Sequence, residues 1–225
     1  MKDMKRTFCT ALFDFDGVVM DTETCYTRFW TEVGIRYFND PHFGKDIKGQ
    51  TLTRIYDRYF SGPLERYRDE LTEALNRFEE QMVYTYILGA EQFVADLRVH
   101  GVHTAVVTSS DANKMSKVYR QHPEILHMFD EIIMSGMFVR SKPAPDCFLQ
   151  GMACFGSTPQ QTVVFEDSIY GLQAGKASGA FVVGLSTTYP ADRVKELSDA
   201  VIPHFGGFTY DKMLEMLQNE TGEEC

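Results

Sequence analysis

Asp14 and Asp16 lie inside an apolar stretch, LFDFDGVVMDT at residues 12–22. Carboxylates are costly to bury without partners, so a strand-like run that carries two of them needs a reason. Side chains alternate along a strand, which sends Asp14 and Asp16 off the same side, and Gly17 lets the chain leave tightly. Two carboxylates this close repel unless a cation sits between them. The chemistry such a pair supports is therefore binding of a divalent metal, with Mg²⁺ the best match to oxygen ligands. A turn or helix-capping pair of Asp residues serves DxDG equally well when that motif is taken alone.

Three further segments carry chemistry. Thr108-Ser109-Ser110-Asp111 closes the apolar run that begins at Thr104. Hydroxyls beside a helix start can join backbone N–H groups around a phosphate oxygen, or Ser110 or Asp111 can cap that helix. Ser141-Lys142-Pro143-Ala144-Pro145-Asp146 frames a lysine between prolines. Pro145 suits the opening turn of a helix, and the stiff loop would aim Lys142 at the same edge, although most lysines are solvated. In VVFEDSIYGLQAGKASG, Glu166 and Asp167 end another apolar run. A second acidic pair there would complete a metal shell, or would sit in the dipole-favoured start of the next helix.

The elements that must position these residues follow from hydrophobic patterning. Short apolar runs at Thr10–Phe15, Thr104–Thr108, Glu131–Met134, Thr162–Phe165 and Phe181–Leu185 alternate with helical stretches at Gly89–His100, Asp111–Gln121, Pro145–Phe155 and Ser168–Ser178. The runs at 104, 162 and 181 are Val-rich without polar alternation, as in parallel strands buried on both faces. The expected fold is α/β, a doubly wound, Rossmann-like parallel sheet, whose ligands bind beyond the carboxyl ends of its strands. Residues 23–86 break the pattern: dense in Arg, Glu, Tyr and Leu, they hold no Val-rich run, and residues 57–83 read as two helices broken at Ser61-Gly62-Pro63. The expected organisation is a core domain from 1–22 and 87–225, with a small all-helical domain, 23–86, inserted.

Composition limits the function. The 225 residues suit one core domain with an insertion. A net charge of −10 argues against a nucleic-acid groove or an anionic membrane surface, which select basic patches. No uninterrupted apolar segment precedes Asp14 and no run approaches a membrane-spanning length. Cys9, Cys25, Cys147, Cys154 and Cys225 are odd in number and form no CxxC, as expected of free thiols in a reducing cytoplasm. A monomer or weak homodimer is expected.

Four strand ends in order thus offer DxD, a hydroxyl, a lysine and an acidic pair. That series resembles the haloacid dehalogenase superfamily of phosphotransferases. The pieces DFDGVVMDTE, VVTSS, SKPAPDCF and VVFEDSIYGLQAGKASG, with the early helical insert, are similar to the branch containing β-phosphoglucomutases and small sugar-phosphate phosphatases, over about Phe8 to Leu185. The resemblance implies that Asp14 is a nucleophile forming an aspartyl-phosphate, and that Asp16 is first general acid and then base. It also implies Mg²⁺ held by Asp14, the Asp16 carbonyl and Asp167, with Glu166 supporting. Lys142 would offset anion–anion repulsion, Ser109 would hold a non-bridging oxygen, and Asn113 is a second candidate for that task. The insert would be a cap that closes over the site. There Lys48, Gly49 and Arg54, in IKGQTLTRIYDR, and Arg77 are candidates for substrate oxygens, against the alternative that each only solvates a helix.

Two departures bear on the reaction. The histidine that β-phosphoglucomutases carry after the DxD segment is replaced by Tyr26, and their cap arginine would fall near Leu52, with Arg54 out of register. Both favour hydrolysis. The expected function is a Mg²⁺-dependent phosphatase of a small phosphorylated metabolite, a sugar phosphate above all. A mutase interconverting β-glucose 1-phosphate and glucose 6-phosphate is the alternative. A non-catalytic phospho-acceptor module of the response-regulator kind is disfavoured by the insert and by the DxD pair.

Overall fold

Six strands, all parallel, form the centre of the computed structural model, which describes residues 7–48 and 50–219. They are β1 (Thr10–Phe13), β2 (His103–Val107), β3 (Glu131–Ile133), β4 (Thr162–Glu166), β5 (Phe181–Leu185) and β6 (Ala200–Ile202), in the spatial order β3-β2-β1-β4-β5-β6. β1 is central, in register with β2 at Phe13–Val106 and with β4 at Phe13–Phe165. The order reverses between β1 and β4, the point where a doubly wound sheet opens a crevice at its carboxyl edge.

Alternation along each strand sorts its residues to two faces. Phe13, Val106, Val163, Phe165 and Val183 belong to one buried cluster, with Phe93, Met115 and Leu217 from the covering helices. Leu12, Ala105, Val107, Val164 and Val182 belong to the other, with Phe148, Met152 and Leu172. The rings of Phe13 and Phe165 stack at 4.7 Å between neighbouring strands, a pair worth about 0.5–1.5 kcal/mol beyond burial. The helices on the two faces are α5 (Ala90–Val99), α6 (Ala112–Gln121), α7 (Ile125–Met128), α8 (Asp146–Phe155), α9 (Ile169–Ser178), α10 (Ala191–Lys195) and α11 (Tyr210–Asn219).

Among the described residues, the regular elements between β1 and α5 are all helices: α1 (Glu23–Phe38), α2 (Phe43–Asp46), α3 (Leu52–Tyr59), a 3-10 helix (Gly62–Tyr67) and α4 (Arg68–Gln81). Asn39, at φ 54, ends α1 in the left-handed conformation that asparagine tolerates. Thr51 caps α3 by accepting from Arg54 N–H. These helices bury a core of their own around Trp30, Phe43, Ile55, Phe60 and Leu71. Tyr26 and Phe78 touch both this core and the main one, and the chain rejoins the main core by Met82.

The expected runs correspond to β1–β5. β6, a three-residue Ala-Val-Ile edge strand, has no counterpart among them, and α7, α10 and α11 have none among the expected helical stretches. Among the described residues, no helix is long and apolar enough to cross a membrane, and Cys9, Cys25, Cys147 and Cys154 are free thiols.

Candidate active site

The ladder runs one residue past β1, where Asp14 N–H donates to Phe165 O at 2.9 Å, and this holds the buried Asp14 carboxylate at the sheet edge. Lys142 arrives from the loop after β3. Its Nζ lies 2.5 Å from Asp14 Oδ1, 2.7 Å from Glu166 Oε1 and 3.3 Å from Val107 O, with its side chain 6% exposed. Burial pulls a lysine pKa down, but Asp14 and Glu166 more than reverse that and hold Lys142 charged.

Glu166 ends β4. Its Oε2 accepts from Asp167 N–H and Ser168 N–H, each at 2.8 Å, and from Ser168 Oγ at 3.1 Å. With Oε1 on Lys142, both oxygens are engaged. Gly171 makes room for that carboxylate, since a Cβ there would fall 1.6 Å from Glu166 Oε1. Asp167 differs. Its Oδ2 accepts from Thr188 Oγ1, but its buried Oδ1 has no partner among the described residues. Gly17, at φ +78, comes so close that a Cβ would sit 2.0 Å from Asp167 Oδ2.

Three carboxylates, Asp14, Glu166 and Asp167, present oxygen atoms all within 4.8 Å of one another. Burial pushes the Asp14 pKa up to about 7; Lys142 pulls it back, and Glu166 and Asp16 add to the rise. Burial, then Glu166 and Asp14, drive Asp167 well above the ordinary carboxylate range. An orphaned buried carboxylate oxygen beside two other acids is a donor set for a hard divalent cation.

Asp16 faces the same edge with different company. Lys114 Nζ, from the first turn of α6, lies 2.5 and 2.6 Å from its two oxygens, Ser110 Oγ donates at 2.8 Å, and Thr22 Oγ1 donates to Oδ1. Burial acts to raise the Asp16 pKa, but Lys114 and the hydroxyl donors carry it below the ordinary value of an aspartate. A cleft of about 1200 Å³ opens over both aspartates, between the sheet edge and the helical insert.

The residues singled out in the sequence fall into three groups. Asp14, Asp16, Ser109, Lys142 and Asp167 line the cleft together, with Glu166 buried behind Lys142, and Ser109 presents a hydroxyl unpaired among the described residues. Lys48 and Arg54 line the insert side; Lys48 Nζ is 3.5 Å from Thr188 O, and the Arg54 guanidinium lies over the Tyr170 ring at 4.4 Å. Arg58, also on α3, lines this side as well. Asn113 lines the cleft but gives its amide to Asn76 Oδ1 of α4 at 2.9 Å, which makes it a contact between α6 and the insert. Arg77 is not brought to the cleft: it is exposed and pairs with Glu73 at 3.6 Å, because its position on α4 faces solvent. Gly49 lies outside the described residues.

Lys114, Thr22, Ser110 as a partner of Asp16, and Thr188 are not among the residues that the motifs single out. One signal for Lys114 is present in the sequence. The N-terminal turn of a helix disfavours a cation, so a lysine three residues after the capping Asp111 calls for an acidic partner.

Comparison with known proteins gives this geometry a context. The model of the haloacid dehalogenase-like hydrolase family matches residues 11–185. The probable pseudouridine-5'-phosphatase of Drosophila melanogaster is 32% identical over 200 residues, spanning 80% of this chain and 81% of the relative. The fructose-1-phosphate phosphatase of Escherichia coli (strain K12) is 28% identical over 185 residues, 78% of this chain and 95% of the relative. Against the chloroplastic Suppressor of Quenching 1 protein of Arabidopsis thaliana, 27% identical, the chain spans 19% of the relative's length. Among solved structures, a family IA, variant 3 hydrolase from Entamoeba histolytica superposes with a TM-score of 0.80 at 20% identity, covering 93% of this chain and 99% of that one.

Proposed function

The chain belongs to the haloacid dehalogenase-like hydrolases, and from that footing we propose that it is a Mg²⁺-dependent phosphatase of small phosphomonoesters, sugar phosphates above all. The observation that carries this reading is the pairing of Asp14, held by Lys142, with the unpartnered Oδ1 of Asp167 at one mouth of the cleft. Phosphatases among the relatives support the same class.

Asp14, Asp167 and the Asp16 carbonyl would hold the metal, with Glu166 bracing Lys142 from behind. Bound there, Mg²⁺ supplies positive charge that lets an anionic nucleophile approach an anionic phosphate. The chain's own groups do the rest. An Asp14 carboxylate oxygen forms a bond to phosphorus as the ester P–O bond breaks, and the leaving alkoxide takes a proton from Asp16. Water then attacks the aspartyl-phosphate, giving its proton to Asp16 as phosphate leaves and Asp14 is regenerated. Asp16 must enter the first step protonated, and an arriving phosphate dianion raises its pKa in the required direction. Lys142 and the Ser109 hydroxyl sit where they can hold non-bridging oxygens. The helical insert forms the far wall and acts as a cap that excludes water.

The test is a panel of phosphate esters, with sugar phosphates, phosphoglycolate, nucleotides and pyrophosphate, each with Mg²⁺ and with chelator. Free phosphate from sugar phosphates, dependent on Mg²⁺, is expected. Glucose 6-phosphate formed from β-glucose 1-phosphate would instead make the chain a mutase. No turnover of any ester would sink the catalytic reading.

Metal and protons compete for the same oxygens. In the metal-free fold Asp14 keeps its proton up to about pH 7, whereas an unfolded Asp loses it near pH 4. The folded state therefore binds more protons across that window, and stability falls as pH rises through it. Mg²⁺ replaces those protons, so its thermal stabilisation should be larger at pH 8 than at pH 5.5 in melting curves. Equal shifts at the two pH values would count against a metal on Asp14.

A further inference from the structure

We propose that Lys114 is a positioning residue for Asp16, and that the helical insert holds it in place through Tyr26. The inference rests on the phosphatase reading above. Lys114 is buried in the first turn of α6, where the helix dipole works against a cation, so its cost must be met by what it touches. It touches both oxygens of Asp16, at 2.5 and 2.6 Å. Ser110 and Thr22 donate to the same two oxygens. Donors on each oxygen from three directions fix the plane of a carboxylate that a single partner would leave free to turn.

The insert reaches this clamp along a continuous path. The Tyr26 ring, on α1, lies 4.6 Å from Lys114 Nζ, a cation–π contact. Tyr26 OH donates to Glu79 Oε1 at 2.8 Å, and Glu79 Oε2 accepts from Lys117 Nζ at 2.8 Å. Lys117, with its side chain 3% exposed, stands three residues from Lys114 on α6, and it also reaches Asn76 Oδ1 at 3.2 Å. The helix that carries the clamp is thus the one on which α1 and α4 of the insert are seated by a buried ion pair. Seating the insert and aiming Asp16 are one event, and misplacement by about 1 Å is enough to cost on the order of 10²-fold in rate.

A misaimed Asp16 has a chemical signature. A sugar alkoxide needs the Asp16 proton as its P–O bond breaks, whereas p-nitrophenolate leaves without one. In the second half-reaction, both substrates need Asp16 to take the proton of water. With Lys114→Met and p-nitrophenyl phosphate in Mg²⁺, rapid mixing should show a stoichiometric burst of nitrophenolate at the wild-type rate, then turnover slowed on the order of 10²-fold. With a sugar phosphate, kcat should fall at least as far, without a burst and with KM changed only a few-fold. Lys114→Arg, which returns a cation, should recover part of the loss, and Lys114→Gln provides the same comparison if the methionine variant does not fold. A burst that disappears together with turnover, or unchanged kinetics on both esters, would overturn the positioning role alone. A wild-type chain inert toward every ester would overturn the phosphatase reading and this inference with it.

Discussion

Asp14→Asn should release no measurable phosphate from the best ester, a loss of about 10⁴-fold or more, the scale set when a covalent nucleophile is removed. The substitution keeps the shape of the side chain and takes away the anion that attacks phosphorus. The surroundings need not move: Lys142 retains Glu166 at 2.7 Å and Val107 O at 3.3 Å. One buried carboxylate fewer beside Glu166 and Asp167 also lowers the repulsion within the cluster. Thermal melts at pH 8 should therefore show no loss of stability, and inorganic phosphate should still protect the variant from unfolding. That combination separates lost chemistry from lost structure. Turnover within about tenfold of wild type would remove Asp14 from the nucleophile's place.

Lys142→Met tests the other side of the same contact, and stability should fall with activity. Lys142 is the cation that both Asp14 and Glu166 touch, and methionine fills its stem without its charge. Removing one member of a buried ion pair leaves the other uncompensated, at about 3–5 kcal/mol, which for a chain of this size lowers Tm by roughly 6–20 °C. Asp14 can relieve part of this by holding its proton, so the deficit should be larger at pH 8 than at pH 5.5. The sign follows because Asp14, already raised by burial, loses the lysine that lowers it and rises further, so its proton is lost only at higher pH. Saturating Mg²⁺ should restore part of the Tm. It should not restore kcat, because the group that stabilises the transferring phosphoryl is gone; a deficit on the order of 10²–10³-fold is expected. A variant as stable as wild type at pH 8 would show that the pair does not hold the site together.

Both predictions concern residues that stand out in the amino-acid sequence. Asp14 and Asp16 interrupt an apolar run at a strand end, Lys142 is framed by prolines, and Glu166-Asp167 close a Val-rich strand. Each signal is local, a few residues deciding backbone direction and side-chain face, and parallel topology carries all of them to one edge. Even the departure at Tyr26 is readable as a missing histidine, although what Tyr26 does instead is not.

What the sequence alone determined is the inventory at each strand end and the edge to which a doubly wound sheet must deliver it, because alternation and strand–helix succession are short-range properties of the chain. Only the tertiary structure decided which of those groups meet. Lys114 is 98 residues from Asp16 and Thr188 is 21 from Asp167, distances over which no period runs, so these partnerships depend on how α6 and the loop after β5 pack. The same cause sends Arg54 to the cleft and Arg77 to solvent. Both are arginines on helices of the insert, and the phase of each helix against its neighbours is set by packing of the whole face.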